Sequence, residues 1–276
     1  MRRLVPALWV LAASTPVWAA SPALLVDLGA GGGYDDNLNN ATSAEQREGS
    51  MFGTSWLTAG VLNRVAERLR VTLNGAYSGT YYAEFDDLTV NALSVRSSGR
   101  FSRGTATSFT VGAGAGRRWY GDDERNATVY EFSLGLRERF APRFSLRAGY
   151  RYASRAAEVS TYSSRGNRFT VDGEFQPDDS TWIGLGYGVA VGQSVFYESA
   201  ATPTPSNGRG RRPSSTFGAN QVAFKDDTTT HTLSASWEQG VAESLFARVE
   251  YAYSLVTADA GDAQDNLVWG SVGYRY

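Results

Sequence analysis

The sequence predicts an all-β chain closed as a transmembrane antiparallel up-and-down β-barrel of about 12 strands, within roughly 10–14. Three observations predict it. Apolar and polar residues alternate with period two in segments of about ten residues. The links between those segments alternate between tight turns and longer loops. The composition is rich in the residues such barrels use, with 30 Gly, 7 Trp, 15 Tyr and 13 Phe among 276 residues, and it contains no Cys and one His. Without Cys there is no disulfide framework and no thiolate metal site. The formal net charge of −2 gives no nucleic-acid partner a reason to bind.

The first segment reads as an address. Met1, Arg2 and Arg3 give a positive start, Leu4 to Val17 is apolar, and Val17-Trp18-Ala19 has the spacing of a cleavage site. This is a secretory signal peptide over residues 1–19, cut after Ala19 or Ala20. Its apolar run is shorter than the roughly 20 residues of a membrane-spanning helix. Residues 20–276 are then expected to form a single barrel domain. An exported chain without a helical anchor is either soluble in the periplasm or a barrel in the outer membrane of a Gram-negative bacterium. The alternation favours the barrel.

The strands follow in order. Leu69, Val71, Leu73, Gly75, Tyr77, Gly79 and Tyr81 share one face, with Arg70, Thr72, Asn74, Ala76, Ser78 and Thr80 on the other. Tyr130, Phe132, Leu134 and Leu136 stand against Glu131, Ser133, Gly135 and Arg137, and the stretches from Phe144 and from Leu245 repeat the pattern. Successive side chains on a strand point to opposite faces, so each segment has an apolar and a polar side. Twelve segments are read this way, near 23–34, 51–63, 68–82, 88–102, 107–120, 127–140, 143–155, 167–177, 180–197, 229–240, 244–256 and 265–276. Tight turns at 65–67, 104–106, 141–142, 177–179 and 242–243 alternate with loops at 35–50, 83–87, 121–126, 156–166, 198–228 and 257–264. Short periplasmic turns and long outer loops are the expectation for such a barrel. Segment 88–102 is the least regular. Val90 and Ala92 keep one phase while Leu93 and Val95 keep the other, which a β-bulge would reconcile.

The final segment places Val268, Val272, Tyr274 and Tyr276 on one face. It resembles the C-terminal strand of Gram-negative outer-membrane proteins. The resemblance implies that Val272, Tyr274 and Tyr276 form the signal read by the barrel-assembly machinery. Closure itself has a simpler cause, because no backbone N–H or C=O stays unpaired in lipid.

The inward face carries charge. Arg118, Glu131, Arg137, Arg139, Arg147 and Arg151 lie on neighbouring segments, joined by Arg168, Asp172 and Glu174, with Arg248 and Glu250 further on. One reading is a cationic track for anionic or carboxylated solutes, since guanidinium grips carboxylate through paired donors. The other is that these groups fill a narrow barrel as salt bridges. Loop 198–228 holds Pro203, Pro205, Asn207-Gly208, Pro213 and a basic patch of Arg209, Arg211 and Arg212. It either folds inward as a constriction or stands outside, where the patch meets lipid phosphates. The run Phe217 to Phe224 suggests a short hairpin above the membrane. Acidic pairs at Asp35-Asp36, Asp86-Asp87, Asp122-Asp123 and Asp226-Asp227 are either solvated loop ends or cation bridges to lipopolysaccharide. No metal site is assigned on this basis.

Enzyme chemistry finds little support. Outer-membrane phospholipases place a Ser two residues from a His on one strand face; here Ser234 is three residues from His231. Omptin-type proteases place an Asp two before the His, where this chain has Thr229. His231 is expected on the lipid side near the outer rim. Gly29 to Gly33 is not a phosphate loop, because no Lys-Ser/Thr follows. No catalytic residue and no cofactor is expected.

Strand number, length and an arginine-bearing interior resemble the small monomeric oligosaccharide channels of enterobacteria. That resemblance implies passage of acidic sugars. The stretch Gly33-Tyr34-Asp35-Asp36-Asn37-Leu38-Asn39-Asn40 is similar to the first strand and loop of barrels encoded in exopolysaccharide operons, and to the opening strand of the surface-lipoprotein assembly modifier barrel. The expected function is a porin-like outer-membrane channel for small hydrophilic solutes such as oligosaccharides, anionic ones among them if the arginines form a track rather than salt-bridge filling. The alternatives are an accessory barrel for polysaccharide export or surface assembly, and a closed structural or adhesive barrel. Expected partners are outer-membrane lipid and lipopolysaccharide, the barrel-assembly machinery and the solute.

Overall fold

Alternation with period two becomes thirteen antiparallel strands in a computed structural model, which describes residues 22–199 and 209–276. The expected signal peptide at 1–19 lies outside the described residues, as do Pro203, Pro205, Asn207 and Gly208 of the long loop. The strands are β1 (Ala23–Asp35), β2 (Ser50–Ala66), β3 (Leu69–Tyr82), β4 (Val90–Arg103), β5 (Thr107–Tyr120), β6 (Ala127–Ala141), β7 (Phe144–Ala157), β8 (Ser164–Phe175), β9 (Thr181–Ser199), β10 (Arg209–Ser214), β11 (Gln221–Gly240), β12 (Leu245–Ala258) and β13 (Gly261–Arg275). Twelve of them form a closed cylinder. β9 pairs directly with β11, and β13 pairs with β1 from Asp27↔Arg275 to Asp35↔Leu267. The seam is completed by Val26 N to Tyr276 O at 3.1 Å and Tyr276 N to Val26 O at 2.8 Å. Every ladder therefore finds a neighbour, as a lipid environment demands.

The outward face is apolar. Leu57, Val61, Leu73, Leu93, Val95, Val111, Leu134, Val171, Leu185, Leu233, Val249 and Val272 are all exposed there. Tyrosines and a tryptophan gather toward the loop end, at Tyr34, Tyr77, Tyr81, Trp119, Tyr130 and Tyr251, and phenylalanines toward the turn end, at Phe101, Phe109, Phe140, Phe144 and Phe175. Amphipathic rings at both edges of an apolar band are what the two interfaces of a bilayer select. Tyr77 and Tyr81 both donate to Asn91 Oδ1, at 2.6 and 3.0 Å, so their polar ends are paired with each other's neighbour. Val272 and Tyr276 also face outward and are exposed, as their phase requires.

Three expectations change. Segment 88–102 contains no bulge: β4 pairs with β3 and with β5 without a shift of register. Val90 and Ala92 lie at the loop end of β4 and point inward, where small apolar residues are tolerated, while Leu93 and Val95 face lipid. The connection expected at 257–264 is a tight turn, with Ala258 opposite Gly261. Loop 198–228 is shorter than expected, because β9 runs to Ser199 and β11 starts at Gln221. The hairpin suggested there exists with different bounds. β10 pairs with β11 from Arg209↔Lys225 to Ser214↔Gln221, and Gly218 at φ +114 and Asn220 at φ 65 turn the chain between them. Glycine suits that turn because an L side chain rarely adopts such a φ.

The dry packing is not in the middle of the cylinder. Among the described residues, the buried apolar clusters sit at the loop end. One holds Tyr162, Tyr197, Phe217 and Ala223, with Leu38, Phe85, Leu88, Ala157, Val159 and Val195 against it. The other holds Phe196, Phe224, Val256 and Ala263. The barrel interior below them is lined mostly by polar and small side chains, with Trp56, Trp182 and Phe246 among them, and contains cavities.

Candidate functional site

The site is the lumen, and the alternation of each strand decides which side chains reach it. On β4 the inward phase brings Arg96 and Arg100. On β5 it brings Arg118, on β6 Glu131, Arg137 and Arg139, on β7 Arg147 and Arg151, and on β8 Arg168, Asp172 and Glu174. On β12 it brings Arg248 and Glu250. Every interior residue expected from the sequence is thus on the inward face. Arg96 and Arg100 were missed because the mixed phase at the start of segment 88–102 hid the regular one that follows. Glu238 on β11, with Arg275 on β13 and Asp27 on β1, was missed as well; all three have the inward phase.

These charges fall into two sets. One set is paired. Glu174 accepts from Arg147 at 2.8 Å and from Arg137 at 3.3 Å, and Arg151 pairs with Glu131 on the adjacent strand. On the other side Arg248 meets Glu250 at 2.7 Å and Glu238 at 3.8 Å. Arg275 bridges Asp27 at 3.1 Å and Glu238 at 3.4 Å, and Trp56 Nε1 donates to Asp27 at 2.6 Å. These pairs brace adjacent strands and the β13–β1 seam. The second set forms no ion pair among the described residues, although Asp172 lies within electrostatic reach of Arg168. Arg118 and Arg168 form no ion pair, while Arg96 donates only to Ser133 Oγ at 2.7 Å and Arg100 to Ser108 Oγ at 2.9 Å. The wall from β4 to β8 therefore keeps an excess of guanidinium over Glu131, Asp172 and Glu174.

Space lies in front of that wall. A cavity of about 500 Å³ in the turn-end half is lined by Arg137, Arg147, Asp172, Glu174, Trp182, Ser234, Ser236, Glu238, Arg248, Glu250 and Arg275. Two more, of about 330 and 340 Å³, share Arg118, Glu131 and Arg151, and the second also reaches Arg168. Glycines on β9 keep the lower cavity open: a Cβ at Gly186 would come within 2.6 Å of both Asp172 Oδ1 and Ser234 Oγ. Open space against guanidinium without an ion-pair partner is an environment for anions, because arginine stays charged and offers several fixed donors.

The basic patch of the long loop is engaged by the chain itself. Arg211 pairs with Glu198 at 2.7 Å and Arg212 with Glu124; of Arg209 the structure gives only the backbone pairing with Lys225. The acidic pairs serve as loop fastenings. Asp36 accepts from Asn266 N and Nδ2, Asp87 from Thr216 Oγ1, Asp122 from Glu124 N and Arg125, and Asp226 from Ala260 N. Among the described residues no group of three or more acidic or His side chains is placed to hold a metal ion. His231 lies on the lipid side, with Nδ1 2.7 Å from the Tyr187 hydroxyl, and Ser234 faces the lumen.

No protein-family model matches the chain, and no curated protein matches it. Solved structures do. An outer membrane channel from Pseudomonas putida F1 superposes with a TM-score of 0.62 at 7% identity, covering 96% of this chain and 100% of that one. The NanC porin superposes with a TM-score of 0.50 at 10% identity, covering 90% and 98%. The fold is that of outer-membrane channels. At these identities the likeness carries the architecture and no residue roles, so the chemistry of the lumen rests on the charges described above.

Proposed function

We propose that this chain is a channel in the outer membrane for small hydrophilic solutes, and that it favours anions. The observation that carries the proposal is the arginine-rich wall from β4 to β8, which faces open cavities. There, among the described residues, Arg96, Arg100, Arg118 and Arg168 form no ion pair, beside the paired Arg137, Arg147 and Arg151. A low-dielectric barrel surrounding such a wall raises the local concentration of anions and excludes cations. The paired arginines still contribute to the field, but their nearest counter-charge is already present. The unpaired ones hold their charge available to a passing solute. Small oligosaccharides bearing carboxylates fit the same chemistry, because a guanidinium binds a carboxylate through two parallel donors.

Planar-bilayer recording in a salt gradient tests this. The reversal potential is expected to show anion preference, and Arg118→Ala with Arg168→Ala is expected to reduce it to less than half. Replacing the mutually compensating Arg248 and Glu250 with Gln is expected to leave it nearly unchanged. Cation preference in the unaltered protein would refute the proposal, as would a double variant that keeps its full anion preference.

A further inference from the structure

The loop end of the cylinder is roofed. Phe85 belongs to the connection between β3 and β4, and Tyr197 stands on β9, about half the circumference away in a ring of twelve strands. Both pack on one ring, that of Phe217, with centroids 4.8 and 4.7 Å from it in edge-on geometry. A side chain that touches both sides of a barrel lies over its mouth. Phe217 sits in the turn between β10 and β11, so the hairpin 209–220 crosses the opening rather than standing outside it.

Polar contacts fasten the hairpin to loops around the rim. Thr216 Oγ1 accepts from Arg125 at 2.7 Å and donates to Asp87 at 3.1 Å. Arg212 pairs with Glu124. Each of these bonds joins the hairpin to a different loop from the ones that carry it. Residues 36–49 close the remaining side, with Tyr197 N donating to Asn39 O at 3.2 Å and Asn40 Nδ2 to Val195 O at 2.9 Å. The fastenings are the Phe217 ring, the buried Thr216–Arg125 bond and a few other polar contacts, the Arg211–Glu198 pair and a short ladder from β10 to β11, whereas the barrel below is held by ladders along the full length of its strands. The hairpin therefore moves at less cost than the transmembrane strands below it.

We propose that hairpin 209–220 is a lid, latched by Phe217 between Phe85 and Tyr197 and by Thr216 on Asp87, and that solute enters the lumen from outside only when it lifts. The inference rests on the channel reading above. It makes opening a property separate from selectivity: the lid sets how often current flows, and the guanidinium wall sets which ions carry it.

The chain has no cysteine of its own, so a reversible tether tests the lid directly. Thr216→Cys with Asp87→Cys, in the full chain, is joined by a disulfide or a short reducible bis-thiosulfonate linker and recorded in planar bilayers. Conductance is expected to fall at least tenfold on tethering and to return with reductant, while Phe217→Ala is expected to raise open probability at least threefold. A third variant replaces 209–220 with a short Gly-Ser link and shows whether the unlidded barrel conducts. Heat-modifiable electrophoretic mobility confirms that each variant is folded. Equal current from the tethered and reduced forms, with the tether verified by mass, would overturn the lid and leave the channel reading standing. Absence of current from every folded variant, the link-replaced one included, would overturn the channel reading and the lid with it.

Discussion

Arg147 donates to Glu174 Oε1 across the β7–β8 ladder at 2.8 Å, while Arg137, from the next strand over, reaches the other oxygen at 3.3 Å. One carboxylate thus holds two guanidiniums that would otherwise repel each other on a crowded wall. All three side chains keep partial contact with water, so the arrangement gives more in placement than in stability.

Glu174→Gln should therefore release both arginines to the lumen. The expected result is a stronger anion preference in reversal-potential measurements, with a loss of about 1 kcal/mol or less in urea unfolding from lipid vesicles. A weaker anion preference would show that Glu174 is not the counter-charge of this wall.

Arg125 is the buried charge of the roof. Its guanidinium lies 4.5 Å from the Tyr162 ring centroid and 5.5 Å from that of Tyr197, and it donates to Thr216 and Asp122. Arg125→Ala removes these together and should cost the roof about 2 kcal/mol, or roughly thirtyfold in local opening. Hydrogen exchange of the peptide spanning 209–220 reads this directly. Exchange of the transmembrane strands should stay as in the unaltered protein.

Tyr162, in the loop between β7 and β8, has its phenol pushed up by burial, an effect that Arg125 and the Ser214 hydroxyl oppose and Asp122 and Glu124 reinforce. The folded pKa lies above the ordinary value of 10.0, so the neutral phenol supports the roof fully below pH 10 and loses its contribution as pH rises through the folded value. Protection at 209–220, taken relative to the base-catalysed exchange rate of an unstructured peptide at the same pH, should fall above about pH 10, and Tyr162→Phe should flatten that fall.

Much of this was legible in the sequence because the bilayer is a simple reader. Alternation such as Leu69 to Tyr81, or Phe144 to Tyr152, admits one interpretation when both faces keep their character for a whole segment. The inward arginines followed from the same phase. Arg96 was hidden because Val90 and Ala92 lie inward at the loop end, beyond the region where lipid enforces the pattern. The roof was hidden for a different reason. Phe217, Phe85 and Tyr197 are far apart in the chain and carry no periodic signal, and their contact depends on how loops cross an opening. Long-range aromatic packing of that kind has no local trace. The pairing of charges was illegible too, since which arginine meets Glu174 depends on register between strands.

Anion selectivity of the lumen is the claim on which the rest depends, and the reversal potential of the purified full chain in a planar bilayer with a tenfold salt gradient measures it most directly. Recorded alongside Phe217→Ala to raise the number of openings, both proteins should reverse on the anion side at the same voltage. Currents that reverse on the cation side, or two different voltages for the two proteins, would contradict the account.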